Sequence, residues 1–595
     1  MTPMPTAVLD RPAAPLVPAV PITAVALLLK YLEGEGAQCI FGLPGGPLMP
    51  LYEALFESGR IRPIIAKHEE GAAFMADGYA RVSGRLGLCC TTAGPGATNA
   101  LTAIACAHRD SVPVMLVTAQ IATAAFGKGA AQESSPFGVD IVDIYRAVTK
   151  SSIMLVAHEK MADMTRFLLR TCLTGRPGPV HLSFPADMMK RPVAEDVWLP
   201  EQYRPQPELF DRRSVRDAAR LLLRARRPAI LAGYGTHLSR AYAELKVLAE
   251  RLNIPVATTP RAKGVFPEDH PLSLGVFGLA GSPQADAVLL SDQTDLLLVI
   301  GSTLGETSTH AWDPRLARNR SLLQIDADPT AIAKNYPVTA GLVGDAKRVL
   351  VEIGFELERE IQRMEHGPDL DARLSAVRQA KLAHPRCIEA AGMHDESVPL
   401  KPQRVVAEIR RALPDDAILF VDIGNVMAWA IHYFEVRLPG TFFLNMGFGS
   451  MGHGVAAAIG GKLAAPRRPV VALVGDGAFA MNGMEVHTAV ENDIPVIWVV
   501  QNNGGFGMVH LGETLQFKGK FNTALFRQSL DIVKMAEALG ALAFKAERPG
   551  EVEKFVRMGL AANRPTVIDV RIDREALPPA AVRLKTLEKF FNQAT

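Results

Sequence analysis

Two apolar runs in the last third of the sequence each end in a residue that can bind a metal through oxygen. The run at 470–474 leads into Gly-Asp-Gly, which contains Asp476, and the run at 495–500 leads into two asparagines, the second being Asn503. Both runs are typical of buried strands, and the segment between them predicts a helix that starts near Asn482. Such strands pair in parallel, so Asp476 and Asn503 are expected to meet at one sheet edge. Their oxygens suit Mg²⁺ or Ca²⁺ bound with a diphosphate; the alternative is a tight turn and a polar loop.

This pair of motifs resembles the thiamine diphosphate (ThDP) enzyme superfamily, in which Gly-Asp-Gly is followed about two dozen residues later by two asparagines. The resemblance implies that Asp476, the Asn503 side chain and the Gly505 carbonyl bind Mg²⁺, with the diphosphate supplying the other ligands. It also implies that Gly475 and Gly477 lie against the cofactor.

A candidate acid lies far upstream, where Glu69 follows a short apolar run and precedes a helix pattern rich in Ala and Gly. Without further context, a His-Glu-Glu triplet such as this one usually marks the solvent-exposed start of a helix. The resemblance implies instead that Glu69 is the carboxyl group that hydrogen-bonds the cofactor's aminopyrimidine and drives the proton exchange that activates it. The family's Gly-Pro-Gly-Ala-Thr-Asn motif follows at residues 94–99, and His68 is expected to be structural.

Glu69 and the metal motif lie far apart in the sequence, so several folded domains are required to bring them together. The chain has 595 residues, more than one core usually serves, and its helix and strand patterns alternate. The prediction is an α/β protein with three doubly wound parallel-sheet domains of the ThDP-enzyme type. The predicted segments are a flexible N-terminal arm (1–21), a pyrimidine-binding domain (22–190), a central domain (205–355), a charged linker (356–398), a diphosphate-binding domain (399–575) and a C-terminal tail (576–595).

Composition narrows the class of protein. A net charge of +2 spread through the chain gives no case for a nucleic-acid or membrane partner. A mean hydropathy of +0.12 is typical of a globular protein. The sequence contains no uninterrupted apolar run of about 18 residues, so no membrane span is predicted. The six cysteines have no Cys-x-x-Cys spacing, so we expect reduced core thiols, no zinc site and a cytoplasmic location.

Within the superfamily the sequence is most similar to acetolactate synthase large-subunit-like proteins. The motifs that carry this likeness are FGLPGG (41–46), AGPGATN (93–99), DSVP (110–113), RPGPV (176–180), FPEDHPLSLG (266–275), KPQ (401–403) and GFGSMGHG (447–454). The resemblance implies that the Gly449 carbonyl accepts a hydrogen bond from the cofactor's exocyclic amine and that Met451 wedges between its rings. Gly424 and Asn425 fall where relatives hold the diphosphate, although acetolactate synthases usually have Gln-His after that glycine. Gln132 matches a glutamine that faces the reaction centre.

The departures from that family concern the substrate pocket and a second cofactor. Ala131 replaces a Phe, and Leu511 and Gly512 replace Gln-Trp, so the pocket for the second substrate is expected to be wider or differently shaped. Residues 303–307 replace Arg-Phe-Asp-Asp-Arg, and residues 278–281 replace Gly-Met-His-Gly. FAD is therefore uncertain, although a Gly-Tyr-Gly and an Ile-Asp-Ala-Asp-Pro sequence could still line a nucleotide groove.

The main functional hypothesis is ThDP- and Mg²⁺-dependent decarboxylation of a pyruvate-like 2-oxo acid, followed by carboligation to a second carbonyl. The alternatives are a decarboxylase of the benzoylformate type, with His108 or His510 as proton donor, and a lyase that cleaves an acyloin or a dione. A catalytically silent cofactor-binding protein is the remaining class, and the presence of Glu69 argues against it. Because the acid and the metal motif lie in separate domains, the resemblance implies a homodimer or homotetramer with active sites at the dimer interface.

Overall fold

A computed structural model describes residues 21–204 and 210–579 of the chain. The predicted arm and tail fall outside these residues, except for residue 21 and residues 576–579. Three sheets of six parallel strands confirm the predicted fold class. Among the described residues, none of the helices combines the length and the apolar character that crossing a bilayer requires.

The first domain is a parallel sheet with helices on both faces, extended by a small antiparallel pair, β1 with β8. Its strands are β1 (Ile22–Thr23), β2 (Cys39–Gly42), β3 (Arg62–Ile65), β4 (Gly87–Thr91), β5 (Val114–Gln120), β6 (Ser151–Met154), β7 (Val180–Pro185) and β8 (Pro192–Val193). Its helices are α1 (Ala24–Gly34), α2 (Met49–Ser58), α3 (Glu69–Ser83), α4 (Pro95–Asn99), α5 (Leu101–Asp110), α6 (Ile141–Arg146), α7 (Met161–Leu173), α8 (Ala186–Met189) and α9 (Pro200–Tyr203). The strand order is β3-β2-β4-β5-β7-β6.

The central domain has a different strand order, β11-β10-β9-β12-β13-β14. Its strands are β9 (Pro228–Ala232), β10 (Val256–Thr258), β11 (Ser273–Val276), β12 (Leu296–Ile300), β13 (Ser321–Asp326) and β14 (Ala340–Val343). Its helices are α10 (Arg212–Arg224), α11 (Gly235–Leu238), α12 (Tyr242–Leu252), α13 (Pro283–Leu289) and α14 (Ala346–Ile361). The segment predicted as a linker contains α15 (Leu370–Ala383), whose Arg373 donates hydrogen bonds to three carbonyls of the central domain.

The third domain repeats the strand order of the first, as β16-β15-β17-β18-β20-β19. Its strands are β15 (Ile418–Val421), β16 (Phe442–Leu444), β17 (Val470–Gly475), β18 (Ile497–Asn502), β19 (Leu542–Ala546) and β20 (Thr566–Arg571). Its helices are α16 (Pro402–Ala412), α17 (Asn425–Tyr433), α18 (His453–Ala464), α19 (Asp476–Asn482), α20 (Glu485–Glu491), α21 (Gly507–Phe517), α22 (Ile532–Ala538) and α23 (Glu551–Ala562). Helices cover both faces of the sheet, which is why its strands are almost continuously apolar.

The expectation that Asn482 starts a helix is wrong. Helix α19 already begins at Asp476, and Asn482 is its last residue. The following helix, α20, begins at Glu485. The Asn482 side chain instead donates a hydrogen bond to Glu70 of the first domain, so a contact between domains accounts for this residue.

Helices α3 and α18 join the first domain to the third through a close contact. A Cβ atom on Gly78 would collide with the carbonyl of Ala457, and one on Gly460 would collide with the carbonyl of Met75. Glycine is needed at both positions because the backbones approach so closely. Residues of both domains form one continuous apolar core around this contact.

All six cysteines are buried and unpaired, which confirms the prediction of core thiols. Burial raises the pKa of the Cys90 and Cys106 thiols to about 12, so both stay protonated near neutral pH.

Candidate functional site

Three oxygen atoms converge at the carboxyl ends of β17 and β18. These strands pair in parallel, which brings Asp476, after β17, beside Asn503 and Gly505, after β18. The Asn503 side-chain oxygen lies 2.8 Å from the Gly505 carbonyl oxygen and 3.1 Å from Asp476 Oδ1, contacts that either a cation between the three oxygens or a reversed Asn503 amide, donating to the other two, would satisfy. Adjacent oxygens around an octahedral Mg²⁺ lie about 2.9 Å apart, given metal–oxygen distances of about 2.05 Å. The three oxygens therefore fit a small, hard cation, which would relieve their mutual repulsion.

The backbone holds the Asp476 carboxylate in place. Its Oδ2 accepts hydrogen bonds from the amides of Gly504 and Gly505, each at 2.9 Å, and its Oδ1 accepts one from Gly477 at 3.0 Å. Burial raises the pKa of Asp476 to about 6, against the lowering effect of these amides. A bound cation would favour the ionised form, so cation and proton compete for this group.

The other predicted cofactor contacts lie beside these oxygens on neighbouring strands. Gly424 and Asn425 follow β15, while Gly449 and Met451 follow β16 in the loop 445–452, called here the cofactor loop. Gly424 and Gly449 both have positive φ, and a Cβ atom on either would meet no neighbour, so their backbone is open to a ligand.

Two observations link these residues to the oxygen cluster. A Cβ atom on Gly477 would lie 3.3 Å from Met451 Cε, so the methionine lies against the Gly-Asp-Gly turn. The Asn425 side-chain oxygen is buried and has no hydrogen-bond partner among the described residues, and a ligand could supply one. Four adjacent strands thus bring the predicted cofactor contacts to one edge of the third sheet.

Sequence reasoning missed Asp422, which anchors the cofactor loop. This buried carboxylate accepts hydrogen bonds from the amides of Ile423 at 2.7 Å, Gly454 at 2.8 Å and Gly452 at 3.1 Å. Burial raises its pKa to about 6. The signal was an aspartate directly after an apolar strand, the same pattern that drew attention to Asp476.

The predicted acid, Glu69, opens α3 at the carboxyl end of β3. Its carboxylate is buried and accepts a hydrogen bond from Asn99 Nδ2 at 2.9 Å. A Cβ atom on Gly96 would lie 3.1 Å from Glu69 Oε1, so the Gly-Pro-Gly-Ala-Thr-Asn segment packs on the acid as its spacing suggested. His68 caps the helix by accepting a hydrogen bond from the Glu70 amide at 3.2 Å, which is a structural role.

Gln132 lies close to the same segment. A Cβ atom on Gly94 would come within 2.9 Å of Gln132 Cβ, and Ser134 ties the two backbones together by bonding Gly94 N at 2.7 Å and Gln132 O at 3.0 Å. The Gln132 side chain is exposed in the single chain. The structure thus brings Glu69 and Gln132 to one edge of the first sheet and the oxygen cluster to the matching edge of the third.

Glu485, at the start of α20, joins the third domain to the first just before the acid, and sequence reasoning missed this role as well. Its buried carboxylate accepts hydrogen bonds from the amides of Lys67 at 3.1 Å and His68 at 2.9 Å, just before the acid. The adjacent bond from Asn482 to Glu70, at 3.3 Å, adds a second connection. Both contacts span more than 400 residues of sequence, which spacing rules do not reach.

In the central domain, the glycines considered for a nucleotide groove pack against neighbouring strands. A Cβ atom on Gly233 would lie 2.5 Å from Ser302 Cβ, and one on Gly235 would lie 2.6 Å from Gly301 Cα. The turn at Gly278 packs in the same way on the Thr307 backbone. Close strand packing is sufficient to explain these glycines, so they add no support for FAD.

Comparison with protein families finds three matches along the chain. The N-terminal TPP binding domain of thiamine pyrophosphate enzymes matches residues 22–162, the central domain matches 215–353, and the C-terminal TPP binding domain matches 422–570. The two outer matches contain the acid edge and the oxygen cluster, respectively.

Similar proteins extend the likeness over almost the whole chain. A probable acetolactate synthase large subunit of Methanocaldococcus jannaschii is 36% identical over 567 residues, covering 93% of this chain and 92% of the relative. The acetolactate synthase large subunit of Corynebacterium glutamicum is 34% identical, covering 93% and 87%. That of Haemophilus influenzae is 31% identical, covering 94% and 96%.

Proposed function

We propose, from the premise that this chain belongs to the thiamine pyrophosphate enzymes and resembles acetolactate synthase large subunits, that it decarboxylates a pyruvate-like 2-oxo acid and joins the remaining fragment to a second carbonyl. The chain is a ThDP-dependent enzyme of the acetolactate synthase type. The observation that supports the proposal most is the convergence of three oxygens on one point beside the cofactor loop.

In this proposal, Asp476, Asn503 and the Gly505 carbonyl would hold Mg²⁺, whose charge would offset that of the cofactor's diphosphate. When bound, ThDP supplies the electron sink that allows CO₂ to leave a 2-oxo acid. Glu69 would hydrogen-bond the aminopyrimidine and exchange a proton with it, and Met451 would pack against the bound cofactor. Burial of Glu69 and Asp476 keeps water away from both carboxyl groups.

The remaining cofactor contacts and the cellular location complete the proposal. Gly424, Asn425, Gly475 and Gly477 would lie against the diphosphate, the Gly449 carbonyl would accept a hydrogen bond from the exocyclic amine, and Gln132 would face the substrate. The enzyme works in the cytoplasm, where free buried thiols such as its own persist.

To test the activity, the protein loaded with ThDP and Mg²⁺ is incubated with a panel of 2-oxo acids and aldehydes, and products are identified by mass. An acetolactate product, with CO₂ released, is expected. Free aldehyde with CO₂ would support the decarboxylase alternative, for which His510 is the better placed donor. That histidine lies on α21, the helix after the oxygen cluster, and its Nδ1 has no partner among the described residues.

The working unit in this proposal is at least a dimer that shares each active site between chains. The Glu69 carboxylate bonds within its own domain, to Asn99, while the oxygen cluster lies in the third domain. Apolar side chains beside the cofactor contacts are exposed in the single chain, including Phe448 at 58% and Val509 at 55%. A second copy would cover them.

Mixing two inactive variants tests this arrangement. Chains with Glu69→Gln and chains with Asp476→Ala should each be inactive, and mixed dimers should regain activity because one of their two sites is intact. Differently tagged chains allow exchange to be verified by pull-down before activity is measured. Verified exchange without any return of activity would show that each site is built within one chain.

The pocket for the second substrate is expected to be open at Gly512. A Cβ atom there would meet nothing within 4 Å, so Gly512→Trp adds a ring without a backbone clash. Turnover of bulky acceptors should fall about tenfold or more relative to pyruvate, the scale of one or two methylene-sized differences. Competition assays between a bulky acceptor and pyruvate measure the ratio of the two turnover rates. Thr514→Trp, two residues on and facing another side of α21, is the control; an equal effect of both variants would contradict a pocket role for Gly512.

A further inference from the structure

The loop between β5 and α6 presents Gln132 from a strained turn. Residues 130–133 form a turn that the Glu133 amide closes by donating to the Ala130 carbonyl at 3.3 Å. Gln132 takes the third position of this turn, with a φ of 62°. Glycine usually occupies such a position, because a Cβ atom makes left-handed backbone unfavourable. A long polar side chain is therefore held where glycine would fit more easily, as is typical of residues with a function.

The Ser134 hydroxyl holds this turn in place. Ser134 is only 1% exposed, and its hydroxyl donates to the Gln132 carbonyl at 3.0 Å while accepting from the Gly94 amide at 2.7 Å. A serine has a single hydroxyl hydrogen, so this donor is fully used. The Ser134 amide in turn donates to the side-chain oxygen of Gln120 at 3.1 Å. Gln120 is buried at the end of β5, so the turn is anchored on the first sheet.

The same hydroxyl fixes Gln132 relative to the acid. The Gln132 side chain packs on Gly94, since a Cβ atom there would lie 3.3 Å from Gln132 Cγ. Two residues later, Gly96 packs on the Glu69 carboxylate. All of these residues belong to the first domain, so one chain brings Gln132 and Glu69 together to each shared active site.

We propose that Ser134 is a positioning residue, whose hydroxyl holds Gln132 in the left-handed turn beside the segment that packs on Glu69, so that the Gln132 amide faces the substrate. This inference rests on the proposed function, because Gln132 matters only if a substrate binds beside it. It differs from simple packing, in which Ser134 would affect only the stability of the loop.

Three variants separate the two roles. Ser134→Ala removes the hydroxyl, and Ser134→Thr keeps it. Ser135→Ala is the matched control: Ser135 is also 1% exposed, but its hydroxyl donates to the Glu133 carboxylate at 2.6 Å and accepts from the Phe137 amide at 3.2 Å. Ser134→Cys replaces the alanine variant if that one fails to fold, because a thiol is only a weak donor and acceptor.

The anchor itself is measured in protein without cofactor. Hydrogen–deuterium exchange with mass spectrometry follows the peptide that contains Gly94, whose amide donates to Ser134. Exchange of this amide should be about tenfold faster in Ser134→Ala, the scale of one lost hydrogen bond. It should keep the wild-type rate in Ser134→Thr and in Ser135→Ala. A wild-type rate in folded Ser134→Ala, or equal changes in both alanine variants, would overturn the inference.

The effect on Gln132 is measured by kinetics with saturating ThDP and Mg²⁺. In Ser134→Ala, kcat/KM for the 2-oxo acid should fall about tenfold, while the affinity for ThDP, measured by calorimetry, stays unchanged. Ser134→Thr should recover most of the loss, and Ser135→Ala should behave as wild type. Because Ser134 acts through Gln132, adding Ser134→Ala to Gln132→Ala should cause no further loss.

Losses that multiply in the double variant would show that Ser134 acts independently of Gln132, and would overturn the inference. A wild-type protein that binds ThDP but turns over no 2-oxo acid would instead overturn the proposed function, and this inference with it. The two failures are distinguishable because the first is read from a ratio between variants and the second from the wild-type protein alone.

Discussion

Glu69→Gln should leave ThDP bound and lower turnover by at least about a hundredfold, the typical contribution of one acid or base group. Glutamine has the shape of glutamate, and its amide oxygen can still accept the hydrogen bond from Asn99 that orients the native carboxylate. What the amide cannot do is exchange a proton with the cofactor's ring. The loss should therefore fall on kcat, while cofactor affinity changes little.

Steady-state kinetics with saturating ThDP and Mg²⁺ measure this loss. Glu70→Gln is the matched control, since it makes the same change one residue later, where the amide can still accept the hydrogen bond from Asn482. Its kcat should stay within a few-fold of wild type. Near-normal turnover of Glu69→Gln would remove Glu69 from the mechanism.

The second large effect concerns the metal. Asp476→Ala should abolish Mg²⁺-dependent ThDP binding, an affinity loss of about a hundredfold or more, because it removes the only carboxylate among the three converging oxygens. Asp476→Asn keeps the volume and an oxygen but not the charge, so its loss should be intermediate. Isothermal titration calorimetry measures the affinity, and thermal unfolding verifies that each variant is folded. Tight cofactor binding by folded Asp476→Ala would refute the metal site.

The same titration has an expected pH dependence. The pKa of Asp476 is raised to about 6 in the protein without metal, so a growing fraction of the carboxyl groups is protonated as the pH falls through 6. Protons then compete with Mg²⁺, and the apparent affinity should decrease below that pH and level off above it. In Asp476→Asn, which keeps measurable affinity, this dependence should be reduced; Asp422, whose pKa is also about 6, is the other candidate for any remainder.

The sequence allowed prediction of the oxygen cluster because its geometry follows from local patterns. Two apolar runs define two buried strands, parallel pairing places their ends side by side, and the ligands are the next residues along the chain. Glu69 and the segment packed on it were predictable for a similar reason, since each follows a strand of the first sheet. The resemblance to a family supplied their chemical roles.

Contacts between domains were not predictable in this way. Asn482 suggested a helix start, yet its partner is Glu70, and Glu485 bonds the backbone before the acid from another domain. Likewise, His453 bonds Asp77, 376 residues earlier, and nothing in its local pattern points to that residue. Such pairs form only when folded domains pack against each other. The periodicity of a single segment carries no information about that packing.

The identical strand order of the first and third sheets makes the two outer domains versions of one topology. Helix α3 follows β3 and α18 follows β16, and these two strands hold equivalent edge positions. The closest contact between the domains is therefore made by corresponding helices, as in a symmetric homodimer. The matching edges of the two sheets nevertheless carry different groups, the Glu69 carboxylate in the first domain and the three converging oxygens in the third.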